Sequence, residues 1–351
     1  MNISITGTGS AIPDTVVKNE DFITHAFLDE HGDFFTIPAQ EIIEKFSSIT
    51  GIEERRYASP EINSSDLATF AAKKAIANAA INQEDIDYII VAHNFGDTPH
   101  RSAQSVALPS VASKVKTALG IINPNCVAYD ILFGCPGWVE GVIQAQAFIR
   151  AGMAKKCLVI GAETLSRVVD PVDRDGMIFA DGAGATIIEA TNSKGNILSH
   201  KSATYTANNE IDMLYFGSSY DVNNKTKYIK MKGRKVYEFA LKEVPNAMKA
   251  CLDAAGIGIQ EVKKIFIHQA NMKMDEAIVK RLYRLYKESV PKTVLPMNIQ
   301  THGNSSVATI PTLYDQVLND EINGHQLNTG DIILFASVGA GMNINAICYQ
   351  I

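Results

Sequence analysis

A chain of 351 residues, 46% hydrophobic and 20% charged, has a globular composition, which excludes wholesale disorder and a collagen-like fibre and predicts about two domains or one large fused unit. Its 32 basic and 38 acidic residues give a net charge of −6, spread without blocks of one sign, which argues against a nucleic-acid binder. No apolar stretch approaches the roughly 18 residues of a membrane span, the first residues lack a basic-then-apolar leader, and five scattered cysteines without a CxxC pair argue against a disulfide framework or zinc site, so the expectation is a cytoplasmic protein in a reducing compartment.

Near the start, Gly7 and Gly9 belong to a stretch that lacks the third glycine of a dinucleotide-binding loop, and neither a P-loop nor an HExxH pattern occurs. Residues 73–91 read as helix, polar turn and apolar strand. A further strand over Val127–Leu132 runs into Gly134-Cys135-Pro136-Gly137 and then a helix reaching about Arg150, closed by Gly152. Pro136 suits a first helical turn, where its missing N–H is not needed. Cys135 therefore falls at a helix N-terminus, whose positive end favours thiolate and whose N–H groups suit an oxyanion. A buried structural cysteine is the competing reading, and it is the one given to Cys126, Cys157, Cys251 and Cys348.

Residues 156–161 form the next apolar strand, and residues 208–233 are polar and weakly periodic, an inserted excursion. Residues 249–267 again read as helix, turn and strand, delivering His268 to a strand's C-terminal end, where open α/β sheets place ligands. Thr301–Pro311 reads as strand, glycine turn and small-residue helix start, with Asn304 either a site residue or a plain helix cap. Residues 331–336 are a last buried strand.

These pieces repeat. At a shift of 176, Lys73 meets Lys249, Ala79 meets Ala255 and Ile86 meets Val262; the turn around Cys135 meets that around Asn304 at a shift of 169. The strand at 156–161 also resembles that at 331–336, and although generic helix–strand units resemble one another, three pairings in one order favour a duplicated α/β unit, with halves 1–195 and 196–351 fused rather than hinged because no Gly/Ser linker separates them. Helices should lie outside the sheets, with a shared helical layer between the halves. The order Cys, His, Asn also occurs in papain-like proteases, but their Cys-Gly-Ser-Cys-Trp type signature and disulfides are missing.

The motifs together resemble the 3-oxoacyl-[acyl-carrier-protein] synthase III family of the thiolase superfamily, essentially end to end. The likeness is carried by residues 5–13 and 50–56, the Cys135 elbow, residues 170–174, the stretch from Asp181, His268-Gln269-Ala270-Asn271, Gly303-Asn304-Ser305-Ser306 and Gly339-Ala340-Gly341. It implies a thiolase-like fold: two duplicated βαβαβαββ halves in five layers, α-β-α-β-α. It also implies a homodimer that uses acyl-CoA or acyl-carrier thioesters and malonyl-acyl carrier protein, with no metal or redox cofactor.

By the same resemblance Cys135 is the acyl-accepting nucleophile, the backbone N–H groups of Cys135 and Ala340 form the oxyanion hole, and His268 and Asn304 donate to the malonyl thioester carbonyl. Arg174, Asn271 and Leu108 become substrate contacts, Leu108 standing at an aromatic gate. Lys273, Lys280 and Arg281, on one helix face with Ala277 and Arg284, become the carrier-protein dock. The chain also departs from the family. The Trp and Arg that clamp CoA fall at Lys45 and Ile49, and a Phe-Thr-Trp-Gly type stretch becomes Met342–Asn345. Losing a stacking and charge-pairing clamp weakens CoA binding, so the expected primer is not acetyl-CoA but a longer or branched acyl group on CoA or a carrier. A specialised pathway (alkylresorcinol, alkylquinolone or polyene type) and acyl transfer to an alcohol or amine without decarboxylation are the alternatives.

Overall fold

In the computed structural model, which describes residues 2–192 and 195–351, two glycines near the N-terminus set how closely a helix can approach the first strand. A Cβ on Gly7 would lie 2.4 Å from the Ala75 carbonyl oxygen, and one on Gly9 would lie 2.5 Å from that of Ala71. Strand β1 (Asn2–Ala11) therefore lies directly against helix α2 (Ser64–Ala79). The glycine pair that fails as a nucleotide loop is a packing device.

Between these two elements come β2 (Thr15–Lys18), α1 (Ala39–Thr50) and β3 (Glu54–Tyr57). The first half continues with β4 (Tyr88–His93), α3 (Val111–Ala118), β5 (Val127–Leu132), α4 (Gly137–Arg150), β6 (Lys156–Thr164) and β7 (Asp181–Thr191). Its main sheet runs β1-β7-β6-β4-β5. The second half holds β8 (Asn196–Thr204), β9 (Leu214–Ser218), β10 (Lys227–Met231), α5 (Gly233–Ala255), β11 (Val262–Ile267) and α6 (Met272–Leu285). It ends with α7 (Ile299–His302), α8 (Thr309–Leu318), β12 (Ile332–Gly339) and β13 (Asn343–Gln350), and its sheet runs β11-β12-β13-β8.

The duplication is visible in the ladders. β4 pairs parallel with β6 as β11 does with β12, and β6 pairs antiparallel with β7 as β12 does with β13. Strands buried on both faces account for the continuous apolar runs seen in the sequence. Three apolar cores fill the gaps between five layers. One joins α2 and α3 to the first sheet, one joins α5 and α6 to the second, and the central one joins α4 and α8 to both. In the central core Trp138 is buried, edge-on to Phe335 at 5.4 Å, with its indole N–H donated to Thr186 Oγ1.

Two expectations need correction. The strand expected before Asn304 is the short helix α7, and the second sheet lacks a counterpart of β5. Where that strand would lie, Ile265 N donates to Val294 O at 2.8 Å. Pro291 and Pro296 flank this contact, and a proline cannot donate to a ladder. The excursion at 208–233, for its part, holds a regular hairpin, β9 against β10. It is stapled to the first half by Lys230, whose Nζ sits 2.7 Å from Asp170 Oδ2 and 2.9 Å from Asp173 Oδ2, with all three side chains nearly or fully buried.

Candidate active site

β5 ends at Leu132, and the chain turns through Gly134 and Cys135 into α4; Gly137 N donates to Gly134 O at 2.7 Å, closing the turn. Pro136 caps the helix from just outside, with φ −73°. Against this turn lies the one that ends β12. A Cβ on Gly134 would stand 2.6 Å from Ala340 N, and one on Gly339 would stand 2.5 Å from Cys135 N. Only glycine at both places lets the two backbones touch, and the contact brings the N–H groups of Cys135 and Ala340 together. Asn343, inside the stretch that departs from the family pattern, donates Nδ2 to Ala340 O at 2.8 Å and so braces the turn.

Cys135, His268 and Asn304 are all buried, at 9%, 4% and 3% exposure. Burial pushes the Cys135 thiol up to about 12, against a smaller lowering by the Ser306 hydroxyl. The helix end does not by itself make a thiolate here: desolvation outweighs it. His268 follows β11, its N–H donated to Ala336 O at 2.9 Å. Its Nδ1 lies 2.8 Å from Thr309 Oγ1, and burial lowers the ring to about 4, so the imidazole is neutral at ordinary pH. Asn304 is fixed by its backbone, which accepts from Ala180 N and donates to Ile178 O. Its Oδ1 accepts from Ser306 N at 2.7 Å, leaving the amide Nδ2 as its donor.

Four of the residues singled out in the sequence meet in one cleft of about 360 Å³. Lys45 and Ile49 come from α1, Arg174 from the turn before β7 and Asn271 from the loop after β11, joined by Phe46, Met231 and Met274. Arg174 lies over the Phe35 ring at 4.5 Å, while Asn271 caps α6 through Met274 N. The cleft does not include the three buried side chains; Ala270 and Asn271 link it to the His268 turn.

Leu108 is 84% exposed and lines no part of this cleft within one chain. On α6, Lys273, Lys280, Arg281 and Arg284 are all exposed as expected, and Arg281 also donates to Leu241 O of α5. Ser306, Thr309, Asn94 and Glu163 also gather at the site; sequence reading placed Ser306 and Thr309 in the Thr301–Pro311 stretch without giving them a role, and did not select Asn94 or Glu163. The available signal was Glu163, a charged residue closing the continuous apolar strand β6.

Two fused α/β halves with a buried cysteine on one, a histidine and an asparagine on the other, and a double-glycine contact between them define a thiolase-type enzyme. The comparisons refine that class. The profile described as 3-Oxoacyl-[acyl-carrier-protein (ACP)] synthase III matches residues 129–206, and its C-terminal partner matches residues 252–351. Beta-ketoacyl-[acyl-carrier-protein] synthase III of Porphyra purpurea is 33% identical over 99% of this chain and 98% of its own. The crystal structure of 3-oxoacyl-[acyl-carrier-protein] synthase III from Aquifex aeolicus superposes with a TM-score of 0.80 at 30% identity, covering 99% of this chain and 100% of that one. That from Thermus thermophilus gives 0.82 at 28% identity, with 99% of each chain covered. The chain belongs to the 3-oxoacyl-[acyl-carrier-protein] synthase III family and has its thiolase fold.

Proposed function

We propose that the chain performs a decarboxylating Claisen condensation between an acyl thioester primer and malonyl-acyl carrier protein, through an acyl-Cys135 intermediate. The observation that carries this reading is the convergence of Cys135, His268 and Asn304 beneath the paired Cys135 and Ala340 turns. The Cys135 sulfur attacks the primer carbonyl; a new C–S bond forms, the old one breaks, and the departing thiol takes the proton that Cys135 gives up. The Cys135 and Ala340 N–H groups hold the tetrahedral oxyanion meanwhile.

In the second half-reaction the malonyl C–CO2 bond breaks and its electron pair becomes an enolate. With its proton on Nε2, His268 donates to the enolate oxygen together with Asn304 Nδ2, a tautomer that requires the Thr309 hydroxyl to turn from the Ser306 carbonyl to His268 Nδ1. A neutral imidazole suits that role, since it donates without surrendering a proton. Each such donor is worth about 3 kcal/mol at an oxyanion. The enolate carbon then attacks acyl-Cys135, a C–C bond forms, and the thiol is restored when the sulfur takes a proton from solvent. No step transfers an electron, so the reaction needs no redox cofactor, and the donors do the work a metal would otherwise do.

The primer enters by the cleft beside Asn271. Its walls offer Ile42, Phe46 and Met231 where a stacking clamp would be, which supports a primer held by its acyl chain rather than by an adenine. The working enzyme is a homodimer, the carrier protein docks on the basic face of α6, and the pathway is fatty-acid initiation. Mass spectrometry after mixing with a panel of acyl-CoA and acyl-carrier donors tests the reading. The expected result is one acyl mass on Cys135 and none on Cys135→Ala, followed by CO2 release when malonyl-carrier is added; acyl transfer without CO2 would sink it.

A further inference from the structure

One residue outside the expected set touches all three site side chains. Ser306 Oγ lies 3.3 Å from Cys135 Sγ. Its N–H donates to Asn304 Oδ1 at 2.7 Å, and its carbonyl accepts from Thr309 Oγ1 at 2.9 Å, the same hydroxyl that meets His268 Nδ1. Ser306 reaches these partners with φ of +52°, a left-handed conformation that a non-glycine residue adopts at a cost. The side chain is itself oriented from behind. Asn94 Nδ2 donates to Ser306 Oγ at 2.8 Å and to Glu163 Oε1, and Asn94 N donates to the same Glu163 oxygen at 2.8 Å. Because Ser306 Oγ already accepts from Asn94, its own proton is left for the sulfur.

We infer that Ser306 is the hydrogen-bond donor that stabilises the Cys135 thiolate, and that Asn94, anchored on buried Glu163, is the positioning residue that aims it. This deepens the reading of Cys135 as nucleophile and rests on it for its meaning. A hydroxyl donating to an anionic sulfur forms a charge-assisted bond, stronger than one to the neutral thiol, so it acts on the form that reacts. The need for such a donor follows from the burial of the sulfur, which opposes ionisation, and from Glu163 at the end of β6, whose charge opposes it further. His268 beyond Ser306 is neutral, and the Gly339–Ala340 turn brings no titratable side chain. Glu163 is itself held up to about 7 by burial, and His93, whose Nε2 lies 3.0 Å from Asp130 Oδ2, acts on Glu163 in the opposite sense. The relay therefore supplies locally what the buried helix end does not.

The test is the rate of iodoacetamide alkylation of Cys135 in the full chain at pH 8, read by mass. This needs no substrate and so stands apart from the condensation. Ser306→Ala should cut the rate roughly tenfold, the equivalent of about one pKa unit. Asn94→Leu should act in the same direction, whereas Glu163→Gln, which keeps the accepting oxygen and removes the charge, should leave the rate unchanged or raise it. A Ser306→Ala protein that alkylates as fast as the wild type overturns the assignment, as does a Glu163→Gln protein that slows like Ser306→Ala. With thioesters, Ser306→Ala should slow acylation more than malonyl decarboxylation by enzyme already acylated, because its N–H still holds Asn304. Equal loss of both half-reactions shows a structural role instead. If no thioester acylates Cys135 while the alkylation pattern holds, the condensation reading fails and the Ser306 assignment survives.

Discussion

At Cys135 two local fields compete, and their magnitudes decide the chemistry. The N-terminus of α4 is worth about 1 kcal/mol to an anion, whereas full burial of a charge shifts a pKa by several units. Burial wins, with the thiol near 12. Below that value the thiolate fraction grows tenfold per pH unit, so alkylation of the wild type should still be climbing above pH 9. A plateau near pH 7 would show that the helix end dominates after all. In the proposed reaction His268 and Asn304 face a different demand: as enolate donors they would matter only once malonyl is bound. His268→Ala and Asn304→Ala should leave acylation of Cys135 within a few fold yet slow decarboxylation by about 10²–10³, measured as separate half-reactions. These three side chains were legible because each closes an apolar strand or follows a glycine, where the chain must turn at a sheet edge. Ser306, Asn94 and Thr309 were not, because what selects them is contact across the fold: Ser306 meets Cys135 from 171 positions away and Asn94 from 212.

At the scale of elements, sequence periodicity located the helices and buried strands but misread two segments for physical reasons. Thr301–Pro311 carries small residues compatible with a strand, yet Pro291 and Pro296 upstream interrupt the ladder beside β11 around the bond from Ile265 N to Val294 O, and the chain coils into α7 instead. The excursion looked irregular because its hairpin is anchored by an ion cluster together with a few apolar residues, Ile229, Leu214 and Met231, too sparse a set to show a clear period. Lys230 faces Asp170 and Asp173 and lies over the Tyr220 ring at 3.3 Å. Removing the cation strands two buried carboxylates, so Lys230→Met should lower stability by about 3–5 kcal/mol in a denaturant titration. A loss under 1 kcal/mol would mean that the hairpin is held by packing alone. On helix α6 the proposed role of charge is the opposite one, encounter and not fold. Lys280→Glu combined with Arg284→Glu should leave the melting temperature unchanged while raising the KM for malonyl-carrier roughly tenfold at low salt, an effect that shrinks as salt is added. A salt-independent change would remove the carrier from this face.

For the whole molecule, the sheet order leaves one strand to explain. β5 stands at the edge of the first sheet, and on one side it has no strand neighbour among the described residues. Val127 and Leu132 on it are 46% and 76% exposed, and the strand contains no lysine or proline of the kind that blunts such edges. The second half avoids the problem by having no counterpart strand. An unblunted apolar edge is suited to pairing antiparallel with the same edge of another copy about a twofold axis, where residue i meets residue j of the copy, j meets i, and the contact closes at two. Leu108 belongs to this region: three residues on, Val111 and Ala112 donate their N–H groups to Asp130 of β5 at 2.8 and 2.7 Å. That placement reconciles its solvent exposure in one chain with the gate role that family resemblance implies, since a pair built on β5 would present it to the other copy. Light scattering of the wild type should therefore give twice the chain mass at micromolar concentration. Val127→Lys puts an unpaired charge at each end of that interface, at the end of its own strand far from Cys135, and should shift the population to monomer while iodoacetamide still finds Cys135. A wild type that is monomeric throughout, or a Val127→Lys protein that remains fully dimeric, would place the interface elsewhere and leave Leu108 a surface residue.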